Sequence, residues 1–548
     1  MNALTSSITS SRAANSEWWR GAVIYQIYPR SFFDSNNDGI GDLNGILSKL
    51  DYLSELGVDG VWISPFYTSP MKDFGYDVAD YCDVDPIFGN LSDFDKLIEK
   101  AHNLDLKVII DQVFSHTSDE HAWFAESRLD KTNAKSDWYV WENAKPDGSP
   151  PSNWQSVFGG PAWTWDARRK QYYLHNFLKE QPQLNVHNPE VQNALLAASK
   201  FWLDRGVDGF RLDAINFSMH NRELTDNPMS NTPESDVTRP FDMQLHIHNQ
   251  SQPEIPAFLE RVRSLLDDYG ATFSVAEVGG PDPMDEMLAF TANGKRLNSA
   301  YNFDFLYAKS LNPKIVADSI SAWTQSENEG WPSWAFSNHD APRATSRWFD
   351  IEAFPHASQT IMMLLLSIRG NPIIYQGEEL GLEQGHVPFD RLTDPEAITN
   401  WPLTLGRDGV RTPMPWQRDL PNAGFSNQDP WLPVDPRHYG KSVEIQSTQN
   451  TSCLNSVKSL LQLRKGLPSL IDGKLELVSV EDQLLVFKRE SANRDVYCCF
   501  NLSSAPATLR LDATLTSLAN EMGAIDINKT PDKIMRPWSG IWAATKET

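Results

Sequence analysis

The sequence predicts an α/β fold: a (β/α)8 TIM barrel with a small domain inserted after strand 3 and a C-terminal antiparallel β-domain. Three observations predict it. Eight short apolar, β-branched runs alternate with amphipathic helical patterns. Two of the gaps between them are too long for simple crossovers. Near residue 470 the hydrophobic period changes to two.

The strand runs are 23–27, 60–64, 107–112, 209–215, 273–278, 301–305, 333–337 and 373–376. Several are continuously hydrophobic, as expected of strands buried on both faces of a parallel sheet. Helical patterns fill 43–56, 93–104, 190–203 and 255–269. Alternation of this kind fits a closed barrel and, on the count alone, a doubly wound open sheet. The gap from His116 to about Pro182 is rich in Trp, Asp, Gly and Pro and reads as an inserted domain, whereas 218–252 is polar and irregular. Loops after barrel strands build the active-site face, so both gaps are expected to shape a pocket. A helix over 454–467 precedes the period-two segments LELVSV, LLVFKRE, VYCCFNL and ATLRL. The expected division is a barrel over 17–115 and 183–469, an inserted domain over 116–182 and a β-sandwich domain over 470–548.

Of the 548 residues, 40% are hydrophobic and 22% charged, ordinary for a globular protein. The 19 Trp, 15 Tyr and 26 Phe could line a sugar site or simply fill cores. A formal net charge of −24 repels phosphate backbones, which argues against nucleic acid and suits a neutral small-molecule substrate. The same charge would serve a salty habitat or solubility. The most apolar run, 361–368, is far shorter than the roughly 20 residues that cross a bilayer, so no membrane association is expected. The Ser-rich opening reads as a loose tail without a secretory pattern. Four scattered cysteines make no disulfide framework, and Cys498 and Cys499, adjacent in a strand, should face opposite sides. A cytoplasmic location fits these features. The sequence carries no signal for an oligomeric state.

Four strand ends carry polar groups. The fourth ends in Gly-Phe-Arg211-Leu-Asp213, where Arg211 and Asp213, two apart, share a face. An Arg beside a carboxylate lowers its pKa and keeps it ionised, as a nucleophile requires, although a structural ion pair reads the same way. The fifth ends in Glu277 after an apolar run that would raise its pKa, as suits a general acid, though a solvated strand end is the alternative. The seventh leads into Ser-Asn-His339-Asp340, and the third runs from Asp111 into Ser115-His116. Paired carboxyls at the C-terminal ends of barrel strands are what acetal hydrolysis needs.

The ordered set AVIYQIYPRSF, DSNNDGIGD, GYDVADY, DQVFSH, GFRLDAI, AE, SNHD and GVRTPMPW, over about 17–416, resembles the α-amylase superfamily of glycoside hydrolases (glycoside hydrolase family 13). Within that superfamily it resembles the bacterial α-glucosidase and oligo-1,6-glucosidase branch. The resemblance implies that Asp213 is the nucleophile, Glu277 the acid/base and Asp340 the third, transition-state-stabilising carboxylate. Arg211 would orient the nucleophile, and His116 and His339 would bond the terminal glucose. Asp73, Tyr76 and Arg411 would clamp or stack on that sugar's far end, favouring exo action. The loop from Asp34 to Asp42 alternates oxygen donors as calcium loops do, but Gly45 stands where an EF-hand has Glu. The resemblance instead implies a structural Ca²⁺ or Mg²⁺ held by Asp34, Asn36, Asp38, Asp42 and the Ile40 carbonyl; a merely acidic turn is the alternative. No organic cofactor is expected.

Two departures stand out: Ser115 where many members have Asn, and Gln183 where Asp is usual, expected to weaken a hydrogen bond near the inserted domain. In the branch this chain resembles, Val at the position after the nucleophile tends to accompany α-1,6 activity and Ala or Thr α-1,4, so Ala214 implies a lean toward α-1,4 linkages. The expected activity is release of α-glucose from maltose and short α-glucosides with retained configuration and some transglucosylation. The alternatives are an α-1,6-specific oligoglucosidase, a dedicated glucosyltransferase, or a sucrose or trehalose isomerase. From a different class comes a non-catalytic relative serving as an interaction subunit, disfavoured by the retained carboxylates.

Overall fold

The computed structural model describes residues 17–270, 272–324, 330–404, 406–510, 515–520 and 533–544. The Ser-rich opening lies outside the described residues. Eight parallel strands close into a barrel: β1 (Ile24–Ile27), β2 (Gly60–Ile63), β3 (Lys107–Val113), β4 (Gly209–Asp213), β5 (Phe273–Val278), β6 (Ser299–Asn302), β7 (Trp331–Ala335) and β8 (Asn371–Tyr375). The open-sheet alternative is thereby excluded, because β1 pairs with both β2 and β8. The crossovers are α1 (Leu43–Leu56), α2 (Leu91–Asn103), α3 (Pro189–Leu203), α4 (Ile255–Asp267), α5 (Pro283–Phe290), α6 (Pro313–Thr324) and α7 (Ala357–Ser367), and α8 (Cys453–Lys465) follows β8.

Local chemistry sets the helix ends. In α1 the Asp42 side chain accepts the Gly45 N–H, and the helix stops at Gly57, whose φ of 97° favours glycine. Its buried Leu43, Ile46, Leu50, Leu53 and Leu56 fall at helical spacing and join the main core. In α2 the Asn90 side chain caps Ser92 and Asp93.

Strands β1 to β5 fall where the apolar runs predict. The last three begin about two residues earlier than predicted: β6 and β8 open on buried polar residues, Ser299 and Asn371, and β7 opens on Trp331-Pro332. The Ser299 and Ser333 hydroxyls meet at 2.7 Å, and Asn371 Oδ1 accepts from Gly21 N–H and Trp331 Nε1, each at 2.8 Å. At its far end β7 stops early, since Asn338 Oδ1 accepts the N–H of Asp340 and of Ala341 and turns the chain.

Between β3 and β4 the chain makes a three-stranded antiparallel sheet (Trp141–Glu142, Gln171–Leu174, Trp163–Asp166). After α8 a five-stranded antiparallel sheet forms, beginning with Lys474–Val480, Leu484–Glu490 and Val496–Asn501 and accompanied by a two-stranded one. Cys498 packs in the main core and Cys499 in a separate cluster, the opposite faces expected of neighbours on a strand. Among the described residues no helix is long and apolar enough to cross a membrane.

Candidate active site

The site is built around one buried arginine. The strand pleat points Arg211 and Asp213 to the same side, and the register sets Arg211 opposite Asp111 of β3. One terminal nitrogen of Arg211 donates to Asp111 Oδ1 and to Asp213 Oδ1, both at 2.6 Å. The other lies 2.5 Å from Glu277 Oε1. Its Nε donates to the Tyr301 hydroxyl, which donates to Glu277 Oε1, each at 3.1 Å, and Tyr301 sits opposite Glu277 in the β5–β6 register. The guanidinium lies 5.0 Å from the Trp62 ring centre, and Trp62 Nε1 donates to the second oxygen of Asp111.

Ala214 has a φ of 38°, in the left-handed region that costs a residue with a Cβ. That conformation turns its N–H toward Glu277 Oε2, 3.2 Å away. Backbone strain beside Asp213 is thus coupled to the orientation of Glu277.

Electrostatically, one guanidinium faces three carboxyls. Burial pushes the Asp213 pKa up; Arg211 pulls it down, and Glu277 and Asp111 push it up again, for a net rise. Burial likewise raises Asp111 to about 6 against the pull of Arg211. Arg211 alone was expected to lower the Asp213 pKa; it does pull that way, but burial and the two neighbouring carboxyls outweigh it. Asp213 and Asp111, bonded to one terminal nitrogen of the same guanidinium, titrate as a coupled pair rather than independently.

The third carboxylate is held differently. Burial acts to raise Asp340, but His339 at 3.1 Å, Arg407 at 3.3 Å and Arg411 at 2.7 Å keep it well below the usual carboxylate range. His339 stacks on Tyr76 with ring centres 5.2 Å apart, and the Tyr76 hydroxyl reaches its Nε2 at 2.6 Å. Burial lowers His339 to about 3 and His116 to about 4, so both imidazoles are neutral near pH 7. His116 Nδ1 meets the Ser115 hydroxyl at 2.8 Å.

A cavity of about 350 Å³, at the small end of ligand sites, opens onto part of this cluster; Arg211, Asp111 and His339, which was expected to bond the sugar, are not in its lining. Asp73, Tyr76, His116 and Arg407 line one part of it, Asp213, Glu277 and Asp340 lie in its wall, and Phe158, Phe177, Phe217, Phe241, Phe303 and Tyr307 give it a large aromatic surface. Arg239, from the loop after β4, meets Glu396, from the loop after β8, at 2.7 Å, and both line the cavity.

Sequence reasoning placed Arg411 at the sugar clamp. In the structure Arg411 is buried outside the cavity wall, donating to the His339 carbonyl and to Asp340, each at 2.7 Å. Arg407 lines the cavity instead, bridging Asp73 and Asp394 at 2.8 Å each. It lies four residues ahead of Arg411 in the same loop, just before the GVRTPMPW run. Gln181, first residue of QPQLN, was also missed; its amide donates to Asp73 at 3.0 Å. Gln183, expected to weaken a hydrogen bond, makes two: its amide donates to the Phe217 carbonyl at 2.7 Å and accepts from Asn176 at 2.9 Å.

In the 34–42 loop, Asp34 accepts from the N–H groups of Asn36, Asn37 and Gly39, and Asp38 accepts from Ile40 N–H. Asp34, Asn36, Asp38 and the Ile40 carbonyl form a compact oxygen-rich turn. Asp42 accepts from Ser35 and Gly45, so Asp34, Asp38 and Asp42 all have both carboxylate oxygens engaged by the loop itself. Among the described residues no group of three or more His, Cys, Asp or Glu side chains is arranged to hold a metal ion.

Residues 26–473 match the alpha-amylase catalytic domain family. The chain is 49% identical over 518 residues to a probable alpha-glucosidase of Rhizobium meliloti (strain 1021), covering 93% of each. It is 36% identical to the oligo-1,6-glucosidase of Parageobacillus thermoglucosidasius, covering 95% of this chain and 98% of that one. Among solved structures, the alpha-glucosyl transfer enzyme XgtA superposes with a TM-score of 0.92 at 48% identity, over 97% of this chain and 100% of the other.

Proposed function

Because the chain belongs to the alpha-amylase catalytic-domain family of glycoside hydrolases, we propose that it is a retaining, exo-acting α-glucosidase that prefers short α-1,4-glucosides. The observation that carries this reading is the grip of one guanidinium on both Asp213 and Glu277, at 2.6 and 2.5 Å. Carboxyls held by adjacent nitrogens of one group fit the close spacing, about 5 Å, that retaining enzymes use, rather than the wider gap that admits a water.

In this reading the terminal glucose lies with its far end against Asp73 and Arg407. Glu277 gives a proton to the glycosidic oxygen as Asp213 attacks the anomeric carbon, and a β-glucosyl-enzyme forms as the leaving sugar departs. Glu277 then takes a proton from water, which attacks the same carbon and releases α-glucose. The ionised Asp340 counters positive charge developing on the ring. The small Ala214 side chain leaves room for an α-1,4-linked leaving sugar.

A second reading, transfer of the glucosyl group to an alcohol acceptor, is supported by the aromatic wall of the cavity and by the likeness to a glucosyl transfer enzyme. A structural Ca²⁺ or Mg²⁺ in the 34–42 loop would be held by Asp34, Asn36, Asp38, the Ile40 carbonyl and Asp42; it would brace the β1–α1 connection.

The test is early product analysis by NMR with maltose and isomaltose at equal concentration. Rapid α-glucose from maltose supports the proposal. Faster isomaltose cleavage overturns the α-1,4 preference, β-glucose in excess of what the reducing-end unit of the substrate releases overturns retention, and dominant larger saccharides favour transfer.

A further inference from the structure

Five buried residues far apart in sequence form a directed chain of amide hydrogen bonds that ends beside the nucleophile. The His248 N–H donates to Asn227 Oδ1 at 3.1 Å. Asn227 Nδ2 donates to Asn249 Oδ1, Asn249 Nδ2 to Asn176 Oδ1, and Asn176 Nδ2 to Gln183 Oε1, each at 2.9 Å. Gln183 Nε2 donates to the Phe217 carbonyl at 2.7 Å. All four amide side chains are at least 96% buried.

The polarity of this chain follows from its ends. A backbone carbonyl can only accept, so Gln183 must turn its nitrogen toward Phe217 and its oxygen toward Asn176. Asn176 must then donate, and the same requirement passes to Asn249 and Asn227. At the other end a backbone N–H can only donate, so Asn227 must present oxygen to it. The two anchors agree, and they leave one orientation for every amide. Consecutive amide bonds of this kind polarise one another.

The chain joins three pieces that build the cavity: the loop after β4, through Asn227 and Asn249; the segment between β3 and β4, through Asn176 and Gln183; and the turn after Asp213, through Phe217. The Phe217 ring lines the cavity and packs on Phe177 at 5.2 Å, which in turn packs on His116 at 5.1 Å. The backbone of Gln183 is fixed separately, by bonds to Leu174 and Val140, so its side chain is free to serve the relay. An Asp at this position has no amide to donate to Phe217.

We infer that Gln183 is a positioning residue: through this buried amide relay it sets the Phe217 wall of the cavity, and with it the preference among glycosidic linkages. The inference rests on the α-glucosidase reading, and its test has one arm that needs no turnover. Gln183→Met keeps the shape and removes the donor. Gln183→Glu restores a donor only while its carboxyl is protonated, and it covers the case in which the Met variant does not fold. Asn249→Leu cuts the relay two links from Phe217.

The first readout is hydrogen exchange of residues 214–218 without substrate. Exchange about fivefold faster in Gln183→Met or Asn249→Leu supports the relay, and unchanged exchange in both overturns it whatever the activity. The second is the ratio of kcat/KM for maltose to that for isomaltose, substrates that share the glucosyl group and differ in how the leaving sugar is attached. The relay predicts a change in this ratio of about fivefold in Gln183→Met, carried mainly by KM. It predicts no further change in the Gln183→Met/Asn249→Leu double variant. Gln183→Glu should match the native ratio at low pH and depart from it as pH rises. An equal fall in both kcat/KM values, or shifts that multiply in the double variant, would show a structural role only.

Discussion

Replacing Arg407 by Gln tests which arginine holds the sugar. The Arg407 guanidinium meets Asp73 and Asp394 at 2.8 Å and Asp340 at 3.3 Å, with only 9% of the side chain exposed. Removing one partner of so buried a pair costs about 3–5 kcal/mol of stability, because the carboxylates stay behind. Loss of a charged hydrogen bond to a sugar hydroxyl costs a further ~1.5–3 kcal/mol of binding, or roughly ten- to hundredfold in kcat/KM. The Arg411 guanidinium bonds Asp340 and the His339 carbonyl and lies over the Tyr28 and Phe74 rings, so Arg411→Gln should act through Asp340, lowering kcat more than it raises KM. The assay is steady-state kinetics on maltose, with calorimetry to follow the thermal midpoint of each variant. Arg407→Gln should raise KM strongly and lower the midpoint by several degrees. If Arg407→Gln keeps kcat/KM within about twofold while Arg411→Gln raises KM tenfold, the clamp lies at Arg411 and the reasoning is refuted.

Azide distinguishes the two catalytic carboxyls: with an activated aryl glucoside, Glu277→Gln should yield α-glucosyl azide and Asp213→Gly the β-anomer. NMR of the products showing one anomer from both variants would reverse or remove these assignments. Chelation with EDTA should lower the thermal midpoint of the native chain, with recovery on adding Ca²⁺ and no response in Asp34→Ala; a midpoint indifferent to EDTA would count against the metal. Since burial holds His116 at about 4 and His339 at about 3, acidification from pH 7 to 5 should leave both neutral. ¹⁵N imidazole spectra of the native chain and single His variants check this, and a titration near pH 6.5 at either residue would contradict it.

The barrel and its carboxylates were legible because parallel strands buried on both faces read as apolar runs, and because Asp213, Glu277 and Asp340 sit where or just after those runs stop. The starts of β6 and β8 were not, since Ser299 and Asn371 are polar yet buried, each bonded to a partner on another strand or loop, and β7 opens two residues ahead of its run, on Trp331-Pro332. Asp213, Glu277 and Asp340 each carry a strand as a signpost. Arg407 has none; it comes from a long loop after β8, and only the fold shows that it, not Arg411, reaches the cavity. The net pKa of Asp213 was misjudged because a two-residue spacing reveals the arginine but not the Asp111 and Glu277 carboxyls that compete for it. The amide relay was invisible for a related reason: its members span 176 to 249 and meet only in three dimensions.

The three carboxyls around Arg211 place the chemistry in tension with the fold. Three buried carboxyls gathered on one guanidinium are a grouping the native state would be more stable without. Removing the charge of Asp213, as in Asp213→Asn, relieves the crowding that Glu277 and Asp111 impose on it. Such inactive variants are therefore expected to melt above the native enzyme. Stability alone would favour losing this carboxyl centre, so ruggedness and the proposed chemistry pull in opposite directions at one buried arginine.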